Sequence, residues 1–193
     1  MATEEKGRCL VSRDDALNLL DEYTTSDNLR KHAYAVEAAM RAYARKLGED
    51  EEKWGIVGLL HDFDYERYPT LGDHPYKGAQ IMRQRGWPEE IVEGCLAHAP
   101  FTGVLRDTPM KKAIFAVDEL TGFLIAVALV RPSKKLADVE VRSVRKKMKE
   151  RNFAAAVNRE DLQLGAEEMG LPLDEHIQVV LEAMQGLAEK LGL

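Results

Sequence analysis

Cysteine is nearly absent: Cys9 and Cys95 are the only two in 193 residues. They lie far apart and match no metal-ligand or redox spacing, which excludes a disulfide framework and points to a reducing, cytoplasmic setting. Uninterrupted apolar runs of membrane-spanning length are missing too. The longest candidate, Ala113 to Val130, is broken by Asp118-Glu119, so it reads as a buried helix and not a membrane span. The segment Met1 to Lys6 is acidic and has no apolar stretch behind it, so no secretory signal is expected. A basic excess is lacking as well, and a net charge of -6 argues against a surface built for polymeric nucleic acid. No alternating strand pattern, internal repeat, linker or low-complexity segment is found. No convincing Ser-His or Cys-His arrangement offers a side-chain nucleophile.

What is present is an ordinary globular composition, 45% apolar and 31% charged, long enough to bury a large core. The patterning predicts one all-α domain over 1–193, with about eight or nine helices. Ser12 and Asp15 resemble a capping box opening a helix over 13–24. Ser26 or Asp27 caps a second helix running to Leu47 and stopped by Gly48. Its apolar seam is Leu29, Ala33, Val36, Met40, Tyr43 and Leu47, and His32 belongs to the same face. A third helix spans 51–62, followed by a loop over 63–72. Asp73 or His74 caps the fourth helix, with Pro75 in its first turn and Gly86 as its stop. Pro88 opens the fifth helix, a long core helix spans 109–130, and further helices cover 136–149, 159–169 and 172–191.

The organising feature is His61-Asp62, at the end of the apolar run Trp54 to Leu60. A His and a carboxylate buried there need a partner to offset lost hydration, and a shared metal ion is the simplest. His61 falls seven after Trp54, on an inward stripe, and Asp62 is displaced by roughly 100° around the axis. His98, seven after Ile91, also faces in. Asp118 lies inside the most apolar helix, where it needs something positive. One ion held by His32, His61, Asp62 and Asp118 is expected. His74 and His98 are imidazoles for a second ion, with Asp62 bridging. Imidazole and carboxylate without thiolate suit Fe, Mn, Zn, Co or Ni. Such ions activate water and clamp phosphoryl oxygens.

The order of these residues, with Gly58-Leu-Leu-His-Asp62, His74-Pro75-x-x-Gly78-Ala79, Trp87-Pro88-Glu89-Glu90-Ile91 and Ala116-Val117-Asp118-Glu119-Leu120, resembles the HD-domain superfamily over about 26–125. The resemblance implies an all-helical, metal-dependent phosphohydrolase with His32, His61, Asp62, His74, His98 and Asp118 as ligands. It matches the binuclear branches better than the mononuclear nucleotidases. Residues 131–193 would form a helical extension. The chain departs from the family after Asp62, reading Phe63-Asp64-Tyr65 where Ile-Gly-Lys is commonest, and after His98, where no Gly-Tyr-Pro follows. No named subfamily substrate is therefore carried over.

Phosphate-binding candidates are Lys77, one turn beyond His74 near a helix start, and the group Arg131, Lys134 and Lys135. Arg131 stands about 20 Å along the helix from Asp118, too far for direct contact with a phosphate on the metals. Tyr65, Glu66 and Tyr68 are candidate pocket walls. The run 131–151 carries nine Lys/Arg against three Asp/Glu, leaving -12 on the remainder. The expected substrate is a small phosphorylated molecule, a nucleotide or related ester, with Asp62 and Lys77 as catalytic residues. The alternatives are a regulatory module that binds metal and nucleotide without turnover, and a helical interaction scaffold using 131–151. The sequence leaves the oligomeric state open.

Overall fold

Ser12 accepts a hydrogen bond from the Asp15 backbone while the Asp15 carboxylate receives the Ser12 N–H at 2.8 Å. This reciprocal cap starts α1 (Arg13–Tyr23) by satisfying donors that the first helical turn leaves free. The computed structural model describes residues 11–193; Cys9 and the acidic N-terminal stretch lie outside the described residues. α2 (Asp27–Leu47) ends at Gly48, whose φ of 71° is open to glycine at no steric cost. The expected Ser26 side-chain cap is not made. Instead Glu66, from the loop after His61-Asp62, accepts from the Thr25 and Ser26 backbones at 2.8 and 2.9 Å. The α2 seam buries Ala33, Val36, Met40 and Tyr43, while Leu47 at the helix end stays exposed.

α3 (Glu51–Leu60) packs along α2. α4 (Tyr76–Gln84) and α5 (Glu89–Leu96) form the opposite wall, and α6 (Pro109–Leu129) runs through the middle against α2, α5 and later helices. Thr108 caps α6 and proline occupies its first turn, which wastes no donor. Next come α7 (Val141–Met148), α8 (Arg159–Glu168), α9 (Leu173–Gln185) and α10 (Ala188–Leu191). The described residues contain ten α-helices and no strand. No helix among them is long and apolar enough to cross a membrane.

Four helix boundaries differ from expectation. α4 starts only at Tyr76, with Pro75 at its N-cap position and no side-chain cap from Asp73 or His74. α3 stops at Leu60, because the chain then turns through short-range bonds such as Phe63 N–H to Leu60 O and Tyr65 N–H to Asp62 O, so His61-Asp62 stand just past the helix. The basic helix starts at Val141 and not at 136, because Glu140 and Ser143 cap it there, leaving a 3-10 turn over Leu136–Asp138. The closing helix breaks after Gln185, which produces the tenth helix.

One buried polar chain ties three helices together. The Tyr43 hydroxyl of α2 meets His176 Nδ1 of α9 at 2.5 Å, and His176 Nε2 donates to Ala116 O of α6 at 2.9 Å. With Nε2 carrying the proton, Nδ1 accepts and the ring is neutral. Burial pushes the imidazole down from 6.5 to about 4. The unfolded chain therefore binds more protons than the fold between about pH 6.5 and 4, and acidification through that window destabilises the fold. Denaturant titrations should show up to about 3 kcal/mol lost there at this group, and His176→Gln should remove that component.

Candidate metal centre

Two helices, α2 and α6, and the segments flanking α3, α4 and α5 converge beside the middle of α6. His32 projects from the first half of α2, Asp118 from the middle of α6, and His61-Asp62 follow α3. His74 sits just before α4, and His98 two residues past α5. His32 Nε2 lies 3.0 Å from Asp118 Oδ1 and 3.2 Å from His61 Nε2, while His61 Nε2 lies 3.3 Å from Asp118 Oδ1. His74 Nε2 and His98 Nε2 are 3.3 Å apart. Asp62 stands between the two groups. Its Oδ2 is 3.5 Å from His61 Nε2 and 4.0 Å from His32 Nε2, and its Oδ1 is 3.2 and 3.3 Å from His74 and His98 Nε2. Two sets are each close enough to hold a metal ion, His32-His61-Asp62 and Asp62-His74-His98.

Hydrogen bonds behind the rings decide which nitrogens face inward. His61 Nδ1 donates to Gly58 O at 2.8 Å, and His98 Nδ1 donates to Cys95 O at 2.6 Å. His74 Nδ1 meets Asp64 Oδ1 at 2.8 Å. With Nδ1 protonated, each neutral ring turns a lone pair at Nε2 toward the centre. Lone pairs facing one another at 3.3 Å repel unless something positive lies among them. Asp62 Oδ1 is buried and accepts no hydrogen bond, a costly state that a cation would relieve. The donor set therefore fits a divalent ion.

The electrostatics agree. Burial alone would lower His61, but the Asp62 and Asp118 carboxylates raise it from 6.5 to about 9. His74 likewise, despite burial, is raised to about 9 by Asp62 and Asp64. In the metal-free fold their contribution is complete below about pH 6.5 and is lost as pH rises through about 9. Burial keeps His98 below its ordinary value. Burial opposes ionisation of Asp62 and Asp118, yet the imidazoles hold both carboxyls below the usual range. A metal would replace those protons, releasing them on binding.

Asp64 is the residue whose role the sequence reading missed. It is 1% exposed; one oxygen receives His74 Nδ1 and the other the Gly78 N–H at 2.7 Å. A Cβ at Gly78 would sit 2.8 Å from the Asp64 Cγ, so glycine is what admits the carboxylate. Asp64 thus fixes the ring that His74 presents. Asp64→Ala should weaken metal binding about 10–100-fold, the usual cost of losing a partner behind a ligand. Metal titration by calorimetry checks this, with Asp64→Asn expected to recover part of the loss.

A cavity of about 410 Å³ opens onto the cluster, walled by Tyr65, Phe101 and Phe115 and reaching Glu119, Gly122 and Asp161. Burial, with Asp118 and Asp161 nearby, pushes Glu119 up to about 7. Lys77 is exposed and absent from this lining, because α4 turns Gly78 and Ala79 inward. Arg131 lines a separate surface pocket with Ser133 and Glu140. Of the loop candidates, Tyr65 lines the cavity and packs edge-on to His74. Tyr68 does not line it, and Glu66 serves the start of α2. The Cys95 thiol is buried, and burial pushes its pKa up, so it stays unreactive.

Fold and site together define a helical bundle that gathers four imidazoles and Asp62 into two metal-competent groups, with Asp118 beside the first. Residues 29–121 match the HD domain family, so this stretch of the chain is an HD domain; domains of that family are typically metal-dependent phosphohydrolases. It is also similar to curated proteins named Ribonuclease Y. One from Nitratidesulfovibrio vulgaris is 32% identical over 120 residues, covering 56% of this chain and 21% of that protein. One from Oleidesulfovibrio alaskensis is 29% identical over 102 residues, covering 50% and 18%. The chain thus spans about a fifth of the length of these relatives. No solved structure matches it.

Proposed function

We propose that the chain is a metal-dependent phosphohydrolase acting on a small phosphate mono- or diester, nucleotides among the candidates, in a reducing cytoplasmic setting. One observation carries this reading: two ligand-competent groups share Asp62, with one carboxylate oxygen toward each. In this reading His32, His61, Asp62 and Asp118 hold one divalent transition ion, and Asp62, His74 and His98 a second. Bound ions supply Lewis acidity, drawing charge from a phosphoryl group and making water a nucleophile at neutral pH. The chain's own part is to orient the imidazoles through Gly58 O, Cys95 O and Asp64, and to wall the phosphate end from bulk water with Tyr65 and Phe101. Among the described residues the cavity lining contains no Lys or Arg, so in this reading the phosphate charge would be offset by the ions.

The name Ribonuclease Y favours a second reading, cleavage of RNA phosphodiesters. The carboxylate-rich lining and the net charge of -6 oppose it for a polymer. The test is phosphate release from a broad ester panel by protein loaded in turn with Mn, Fe, Co, Ni and Zn, alongside single-stranded RNA. Turnover of small esters supports the proposal. Tight nucleotide binding without product by phosphorus NMR would replace it with the regulatory reading.

A further inference from the structure

Beyond the metal-competent groups the cavity changes character. Glu119 and Asp161 lie half-buried in its lining, and neither forms a hydrogen bond or ion pair among the described residues. The fold forces Asp161 there. α8 crosses α6 so closely that a Cβ at Gly165 would sit 2.7 Å from the Ala116 Cα, and Asp161 is one turn earlier on that same face. Arg106, whose pKa is raised by Glu168 and, less, by Asp161, is held by Glu168 through bonds of 2.7 and 2.6 Å and lies over the Phe115 ring outside the lining. Gly122, one turn past Asp118, leaves open space where a side chain would stand. The cavity thus continues along α6 between aromatic and acidic walls. An independent sign that it takes a ligand comes from its other end. The His74 and His98 side chains, 9% and 7% exposed, face it, and Asp62 Oδ1 is buried without a hydrogen bond.

Two ions would answer Asp62 and Asp118, and nothing in the lining answers Glu119 and Asp161. A second phosphate or a carboxylate placed there would meet like charge with no Lys or Arg among the described lining residues to offset it. An ammonium group would meet two carboxylates beside the Phe115 wall. We propose that the cavity selects an organic phosphate bearing a protonated amine at the end remote from its phosphate, with Glu119 and Asp161 as the receiving carboxylates. Only the phosphate end of this proposal rests on the phosphohydrolase reading.

Calorimetry on the metal-loaded full chain tests it with three matched series of phosphonates, which resist hydrolysis: ω-aminoalkyl, plain alkyl and ω-carboxyalkyl, each with two to four methylenes. The amine should bind about tenfold tighter than the plain alkyl at the best length, and the carboxylate weaker than either. Glu119→Gln combined with Asp161→Asn, at unchanged metal content, should bring the three series within roughly twofold of one another. Flat or reversed affinities in the wild type overturn the proposal, as does binding of none, whether or not the double variant folds. An amine preference that survives in the folded double variant overturns the assignment to these two carboxylates. Phosphate release from the ester panel judges the phosphohydrolase reading separately.

Discussion

Asp62→Ala is expected to lower phosphate release by at least about a hundredfold, exceeding the usual cost of losing a partner behind a ligand, and to reduce bound metal to less than one ion per chain. The reason is position. Each other candidate ligand serves one group, whereas Asp62 faces His32 and His61 with one oxygen and His74 and His98 with the other. Its removal also lifts a negative charge that helps hold His61 and His74 at about 9. In metal-free Asp62→Ala both imidazoles should therefore titrate lower, observable by proton NMR. Unfolding is not expected to explain the loss, since Asp62 lies past the end of α3 and is not part of the apolar core. Far-ultraviolet circular dichroism should remain helical. Retained metal together with full turnover would remove Asp62 from the site.

The inward placement of these side chains was legible because helical spacing reports a face. His61 seven after Trp54 and Asp118 within an apolar helix both state a direction without any tertiary knowledge. Direction alone fails where the chain leaves a helix. Lys77 follows His74 by one turn's spacing, but α4 begins only at Tyr76, so His74 and Lys77 do not share a helical phase. Asp64 looked like one more loop acid because its meaning depends on a contact with Gly78, fourteen residues on. The signal was present in that glycine, which opens a helix where a side chain would have favoured the helix more. Asp161 gave no signal at all. It reaches the cavity only because α8 folds back onto α6 at Gly165, a crossing that no local pattern encodes. The inward histidine-aspartate cluster was thus readable from periodicity, and the far end of the cavity was not, because it is assembled between distant segments.

Gly58→Val should couple the bundle's stability to the site in one measurement. A Cβ at Gly58 would stand 2.9 Å from the Glu37 Cα, 3.0 Å from the Glu37 N and 3.0 Å from Met40 Cγ. Two of these atoms are backbone, so α3 must move away from α2. Overpacking of this kind costs about 1–3 kcal/mol, occasionally more, and each kcal/mol lowers Tm by about 2–4 °C in a chain of this size. The displacement acts where the site is most sensitive. His32 rides on α2, His61 follows α3 and is anchored to the Gly58 carbonyl, and their Nε2 atoms stand 3.2 Å apart. His74 and His98 belong to the α4 and α5 side. The variant should therefore lose affinity at the His32-His61 group before the His74-His98 group, seen as two separated steps in a metal titration. Gly122→Ala provides the contrast, since its Cβ meets nothing within 4 Å, and alanine should stabilise that helix by about 0.5–1 kcal/mol. If Gly58→Val melts with the wild type and binds metal in a single step, the close crossing of α2 and α3 is not what holds His32 against His61.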